Sequence, residues 1–466
     1  MEDDDNRVGQ RRGPETGARM SIAGLARSGA VAGVIKLASA GLSFLMFVVV
    51  AMVTDERQFG LYSATYAGAS LVSFFASVGQ QSTVLRFWPQ YAEGHDLRSA
   101  HGLMMRAIAV CIAGVAASGL LVVAIAFAPY AGEHTPEWTP LCLSAAILSC
   151  ALGWSEFTSG AFRAKGVLVW GLLPRDVIWR GAVIAVVVAL HFFGFEISAV
   201  AATLITAGLL VATVLPQTIV LFVQTLHAER GPLSSAQKHE FKKVTLGLWG
   251  VTSLSPAFGQ VGTLMVAAIL GSEIAGAVFV ADRTTRLVVL ALSGLNQALA
   301  PEISAAFYAG DKPHVQRATA FTALGAFVAA LIILAIFWAF GPFILGIFQP
   351  AYTTPTMHAV LMIFGFGATV AAACGPMELV LQLTGLQHSA LKLLVVVNVF
   401  GLALMALLTW LFGPIGAALG AAATVVAWNV AGVAVASRSV GINPSVLGLM
   451  GERFSGPFGF APRSAP

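Results

Sequence analysis

The sequence predicts an all-α polytopic membrane protein: twelve transmembrane helices arranged as two six-helix lobes. Three observations predict it. Apolar residues fill 57% of the 466 positions and charged residues only 10%, against about 25% charged in a soluble domain. Stretches such as Val31–Val53 and Ala318–Phe340 stay apolar for about 20 residues, enough to cross ~30 Å of hydrocarbon. The chain also repeats itself. Met52–Gly94 aligns without a gap on Ala268–Gly310 at an offset of 216 residues, which places Gly60 on Gly276 and Ser77 on Ser293. Later, Gly166 falls on Gly385 and Phe193-Gly194 on Phe412-Gly413, at an offset of 219. A membrane chain of two like halves implies a site between the halves.

Each element follows in order. Residues 1–25 read as a disordered cytoplasmic tail; Met1–Met20 is polar and acidic, so no cleavable signal peptide is expected. The N-terminal lobe, 26–223, has spans near 28–53, 59–85, 104–128, 140–162, 173–193 and 197–223. The linker 224–244 carries Arg230, Lys238, Lys242 and Lys243 and is expected to hold a short amphipathic surface helix. The C-terminal lobe, 245–440, has spans near 245–270, 274–300, 317–340, 357–383, 390–411 and 414–437, followed by the cytoplasmic tail 441–466. Pro216, Pro256 and Pro376 interrupt helices and predict bends, each either a hinge or a fixed kink.

Basic residues set the orientation. With the N-terminus inside, nearly every loop Lys and Arg falls on the cytoplasmic side, and the outer loops keep only Arg57. Both termini are then cytoplasmic, and the repeats are parallel about an axis along the membrane normal. The net charge of +4 sits at helix ends, so no nucleic-acid partner is expected. Cys111, Cys142, Cys150 and Cys374 lie in apolar runs without metal-ligand spacing, and no metal is expected.

The chemistry concentrates in charges inside the membrane, which need a partner or a wet cavity. Asp282, Arg283 and Arg286 share the eighth span. Arg286 lies about twelve residues from its outer end, or ~18 Å, close to the midplane. Asp282 can pair with Arg286 four residues on, but one carboxylate cannot neutralise two guanidiniums. The surplus charge suits an anion; an internal salt bridge that locks the lobe is the alternative. Lys36 on the first span is a second cation, either snorkelling to the surface or contacting phosphate in a cavity. Arg175 and Arg180, with Asp176, open the fifth span as a basic cluster at the inner mouth. That cluster is either an anchor or a collar for an anionic headgroup. Glu156 and Glu378 occupy near-equivalent places in the two halves. With Asp282 they are the candidates for coupling to H⁺ or Na⁺; pairing of Glu156 with Arg163, or Glu378 with Lys392, is the alternative. Tyr62, Tyr66, Gln80 and Gln81, matched by Asn296 and Gln297, either line a sugar-sized passage or bond helix to helix. No Walker pattern, no His-Glu-x-x-His and no nucleophile beside a base occur in the sequence, so neither an enzyme nor a cofactor is expected.

Two stretches carry a family resemblance. DERQFGLYSATYAG followed by LVSFFASVGQQSTVLRFWPQYAEG, within 55–94, resembles the second-helix signature of polysaccharide and oligosaccharide flippases. LPRDVIWRG, Leu173–Gly181, resembles the Arg-rich opening of that family's fifth helix. The family belongs to the exporter superfamily that also holds the multidrug and toxic-compound extruders and the lipid II flippases. The resemblance spans roughly residues 25–440. It implies a V-shaped transporter that passes an undecaprenyl-diphosphate-linked oligosaccharide across the bacterial inner membrane by alternating access. The product is then a lipopolysaccharide or exopolysaccharide, with a polymerase and a chain-length regulator as partners. By position, Lys36, Arg283 and Arg286 take the cavity-cation role. Multidrug extruders tend to carry a first-helix carboxylate for ion coupling, where this chain has Lys36; a cation-coupled extruder is the alternative function.

Overall fold

The computed structural model describes residues 22–94, 96–128, 136–229, 231, 234–286, 303, 306–307 and 309–450. Among them there is no strand. The first half contains α1 (Ile22–Val53), α2 (Glu56–Ala76), α3 (Gln80–Glu93), α4 (Leu97–Ala126) and α5 (Trp138–Ala164). It continues with α6 (Leu168–Leu173), a π-helical turn Pro174–Ile178, α7 (Trp179–Phe192) and α8 (Ala199–His227). The second half holds α9 (Ser235–Leu270), α10 (residues 272–286), α11 (Lys312–Phe348), α12 (Pro355–Cys374), α13 (Met377–Leu383) and α14 (Gln387–Val440). Nine stretches among the described residues are long and apolar enough to cross a membrane. The longest, His388–Val440, is two helices joined at a bend, where Gly413 leaves helical geometry. With that division, the α6–α7 segment and α10, the expected twelve spans are accounted for.

Helix starts are written locally. Asp55, Asp96, Ser198, Asp311 and Thr354 each accept a backbone N–H from three residues on, and Ser234 forms a reciprocal capping box with Gln237. These caps satisfy donors that a helix end leaves unpaired. The repeat is visible in the backbone too. Gly166 and its counterpart Gly385 turn at φ 81° and 80°; Gly194 and Gly413 turn at 79° and 61°. Both pairs came from sequence alignment alone, and both sit where only glycine turns without strain.

Three expectations are corrected. The second span is not continuous: Ser77, Val78 and Gly79 separate α2 from α3, with Val78 at φ 49° and Gly79 at 69°. Phe75 O keeps a turn bond from the Val78 N–H at 3.1 Å, and the carbonyls at the break are also capped from the other half. Phe74 O accepts from Ser253 Oγ at 2.7 Å, and Phe75 O accepts from Trp249 Nε1 at 3.2 Å. The linker forms no separate surface helix, because α9 begins at Ser235 and runs straight into the seventh span. Pro216 and Pro256 lie inside continuous helices, whereas the tenth span breaks before Pro376. There Gly375 adopts φ 67°, ψ −159°, and a Cβ would meet Pro444 O at 2.3 Å. We expect Gly375→Ala to destabilise the protein by about 2 kcal/mol or more, since that backbone region is nearly closed to L-residues; thermal unfolding in detergent checks it.

The buried apolar residues form one cluster that spans both halves near residues 46–62, 275–281 and 345–361. At the opposite end they divide into two clusters. The first is drawn from α3, α4, α5 and the start of α9. The second is drawn from the α13 region and the end of α14. The halves therefore meet broadly at one end, and toward the other they stay joined along one edge, where the start of α9 packs on α3 and α4.

Candidate functional site

The closed end is built from glycines and aromatics. A Cβ on Gly60 would lie 2.1 Å from Ser272 O, and one on Gly276 would lie 3.0 Å from Gly60 Cα. The two repeat-related glycines thus bring α2 and α10 into backbone contact. Phe44 packs edge-on to Phe348 at 5.3 Å between centroids, and Phe47 likewise to Phe279 at 4.9 Å. The Gln349 amide donates to the carbonyls of Ala51 and Thr54. Every one of these contacts joins the first half to the second.

Behind this plug lies a cavity of about 660 Å³ between the halves. On one side α1 lines it with Ala40, Ser43, Phe44 and Phe47; on the other stand Asp282, Arg283 and Arg286 of α10. Arg286 is ~21 Å along α10 from Ser272 at helical rise. Its Nε donates to Asp282 Oδ2 at 2.9 Å, and its side chain remains 42% exposed. Gly259 gives it room: the Gly259 carbonyl accepts from Arg286 Nη2 at 3.4 Å, and a Cβ there would stand 3.5 Å from the same nitrogen. Arg283 donates to Gln260 Oε1 at 3.1 Å. Its guanidinium lies over Phe279 at 4.6 Å and over Phe47 of the first half at 5.7 Å, and its Nε has no hydrogen-bond partner among the described residues. Both arginines line the cavity, and they share one carboxylate.

The first half presents a second charged group. Lys36 Nζ donates to Asp176 Oδ2 at 2.7 Å, and Arg180 approaches Asp176 Oδ1 at 3.7 Å. Arg175 pairs with Glu156 and donates to Ser155 Oγ at 3.2 Å. The π-helical turn makes this arrangement, because its extra residue per turn re-aims Arg175 and Asp176 relative to Arg180. Asp176 is buried, its side chain 5% exposed, while Lys36 is 46% exposed. Lys36 is one turn from Ala40 on the face of α1 that lines the cavity. Three cations and two carboxylates leave this group one positive charge in surplus, matching the surplus on α10.

The structure relocates several sequence candidates. The fifth span starts at Leu168, so Arg175 and Arg180 are not a collar at its opening but partly buried side chains within it. Glu156 pairs with Arg175 and not with Arg163; Glu378 is exposed and accepts from Gln382 instead of Lys392. Tyr62, Tyr66, Gln80 and Gln81 line no passage: all four are buried, Tyr62 bonding Thr206 and Gln81 bonding Ser77. Asn296 and Gln297 lie outside the described residues. Sequence reasoning missed Phe47 and Phe279, which hold Arg283 from the two halves. Phe279 lies in the repeat segment Ala268–Gly310, one turn before Arg283, which was a usable signal; Phe47 lies outside the repeat and carried none. No cluster of metal-ligating residues occurs among the described residues.

Residues 25–307 match the family described as "Polysaccharide biosynthesis protein". A search of curated proteins found no match. Among solved structures, the chain is similar to an inward-facing multidrug resistance MATE transporter of the MOP superfamily, with a TM-score of 0.71, 15% identity, and 88% of this chain and 98% of that one covered. An outward-facing conformation of a MATE transporter gives 0.59 at 16% identity, covering 89% and 95%. A MOP superfamily transporter from Pyrococcus furiosus, described as having a binding pocket of reverse polarity, gives 0.64 at 16% identity, covering 89% and 96%. These likenesses establish the twelve-helix exporter fold. The family match extends over more than half of the sequence, and so the chain belongs to the polysaccharide biosynthesis protein family, a multi-pass membrane transporter rather than an enzyme.

Proposed function

We propose that the protein carries an oligosaccharide repeat unit linked to undecaprenyl diphosphate from the inner to the outer leaflet of the bacterial inner membrane. The observation that carries this reading is the surplus positive charge in the central cavity, where Arg283 and Arg286 are set against the single carboxylate of Asp282; a second surplus, on Lys36, Arg175 and Arg180, begins one turn of α1 beyond the cavity-lining Ala40. A diphosphate brings roughly two negative charges and oxygens that suit guanidinium forks. The sugars cross in the wet cavity, which spares their hydroxyls several kcal/mol each of unpaired burial, while the lipid tail stays in the bilayer. Both termini are cytoplasmic in this reading, the closed end faces outward, and the cavity is open to the inside. Outward movement of the diphosphate is favoured by ~2.3 kcal/mol per charge per 100 mV of inside-negative potential. Glu156, Glu378 and Asp282 are the carboxylates through which H⁺ or Na⁺ would couple. A polymerase and a chain-length regulator would take up the delivered unit.

Cells lacking the chain should accumulate lipid-linked repeat units, and expression should clear them without promoting dye efflux. Dye efflux with no lipid-linked build-up would transfer the assignment to a cation-coupled multidrug extruder. The surplus positive charge argues against cationic drugs, which it repels. Lys36→Ala is expected to slow transport about tenfold, less than loss of an α10 arginine, because Lys36 is partly engaged by Asp176 and one partial charge-assisted bond is worth ~1.5 kcal/mol. Recovery in Lys36→Arg, read as clearance of the accumulated lipid, would show that charge and not shape is needed.

A further inference from the structure

A second cavity, of about 270 Å³, opens on the far side of the Asp282–Arg286 pair, inside the second half. Asp282, Arg286, Ser255, Phe364, Ala421 and Val425 border both it and the central cavity. Its deeper wall carries Phe258, Thr263, Asn398, Thr424 and Trp428. We propose that this side pocket holds one sugar ring of the transported glycan, the ring that the diphosphate carries directly. The inference rests on the lipid-linked reading above.

Three features argue for a sugar. The pocket falls just below the ~300–1,000 Å³ typical of sites for drug-sized ligands, so a single ring fits and a repeat unit of several does not. Its wall combines aromatic faces with short polar groups, the pairing that suits a ring with apolar C–H faces and a hydroxyl rim. Those polar groups also keep bonding capacity. Asn398 Nδ2 donates to Leu394 O at 2.8 Å, which leaves its carbonyl oxygen and a second N–H. Thr424 Oγ1 donates to Gly420 O at 2.8 Å, which leaves its lone pairs to accept. Position completes the argument. A sugar esterified to a phosphate held by Arg286 is within a few bonds of that guanidinium, and Arg286 itself borders the pocket.

The test uses the full chain in nanodiscs and two probes: undecaprenyl diphosphate, and the lipid-linked saccharide extracted from cells lacking the chain. Wild type should hold the saccharide-bearing lipid about tenfold more tightly, a 1.4 kcal/mol preference. Trp428→Ala and Asn398→Leu should erase that preference while leaving undecaprenyl diphosphate binding unchanged; Trp428→Phe, which keeps an aromatic face, should retain most of it. A preference that survives in both variants overturns the pocket assignment, as does parallel loss of both lipids, which marks the residues as structural. If undecaprenyl diphosphate binds wild type in an Arg286-dependent way but no preference exists, the pocket inference fails alone. If neither lipid binds wild type, the lipid-linked reading fails with it.

Discussion

Arg286→Ala is expected to reduce transport about 100-fold, the equivalent of losing a ~3 kcal/mol charge-assisted contact. The substitution does two things. It removes a 42%-exposed cation that lines the central cavity, and it leaves Asp282 without the partner now 2.9 Å away. Arg283 and Asp282 then cancel, and the second half loses its surplus charge. The chain should still insert, since a cavity-facing guanidinium near mid-depth is a cost to insertion that alanine relieves. Arg286→Lys should recover part of the loss, keeping the charge but not the planar fork. The measurement is lipid-linked repeat-unit accumulation, normalised to chain abundance in the membrane. Unimpaired clearance by the alanine variant would reduce Arg286 to a structural role.

Gly60→Ala should act without touching the site. Its Cβ would fall 2.1 Å from Ser272 O, a carbonyl fixed in the backbone at the start of α10, so α2 and α10 must part. Overpacking of this kind costs about 1–3 kcal/mol. The cost applies only while the glycines touch, so it shifts the conformational balance about 5- to 150-fold toward the form with that end open. Spin labels at the exposed Arg57 and Glu273 positions should report a longer separation, and transport should fall in proportion. An unchanged distance distribution would mean that this contact does not set the balance.

The extent to which the sequence announced this structure differs by range. Span count and the repeat were legible because apolar run length and paired glycines are local signals; Gly60 and Gly276, aligned on paper, touch in space. Asp282 and Arg286 were legible as a pair because four residues on a helix is a fixed geometry. Lys36 and Asp176 were not, since their pairing needs α1 packed on the fifth span and a π-helical turn to aim Asp176. The same holds for Glu156 with Arg175, which the sequence offered to Arg163. The break after Ala76 was the least legible. No proline marks it, Val78 resists the left-handed backbone it adopts, and what permits it are Trp249 and Ser253, more than 170 residues away.

That break has a mechanical consequence. The carbonyls of Phe74 and Phe75 find donors in α9, and Thr83 meets Thr245 at 3.2 Å further along the same line. Pulling α2 and α3 from α9 would break the bonds from Ser253 and Trp249 and leave Phe75 O only its turn bond from the Val78 N–H at 3.1 Å, and an unpaired polar group in hydrocarbon is costly. Rearrangement must therefore roll around this line like a door on its pin. A disulfide across Thr83→Cys and Thr245→Cys, with the four native cysteines replaced, should leave transport intact. The polypeptide that looks like two hinged leaves has its axle along one edge, where side chains of one leaf bond the backbone of the other.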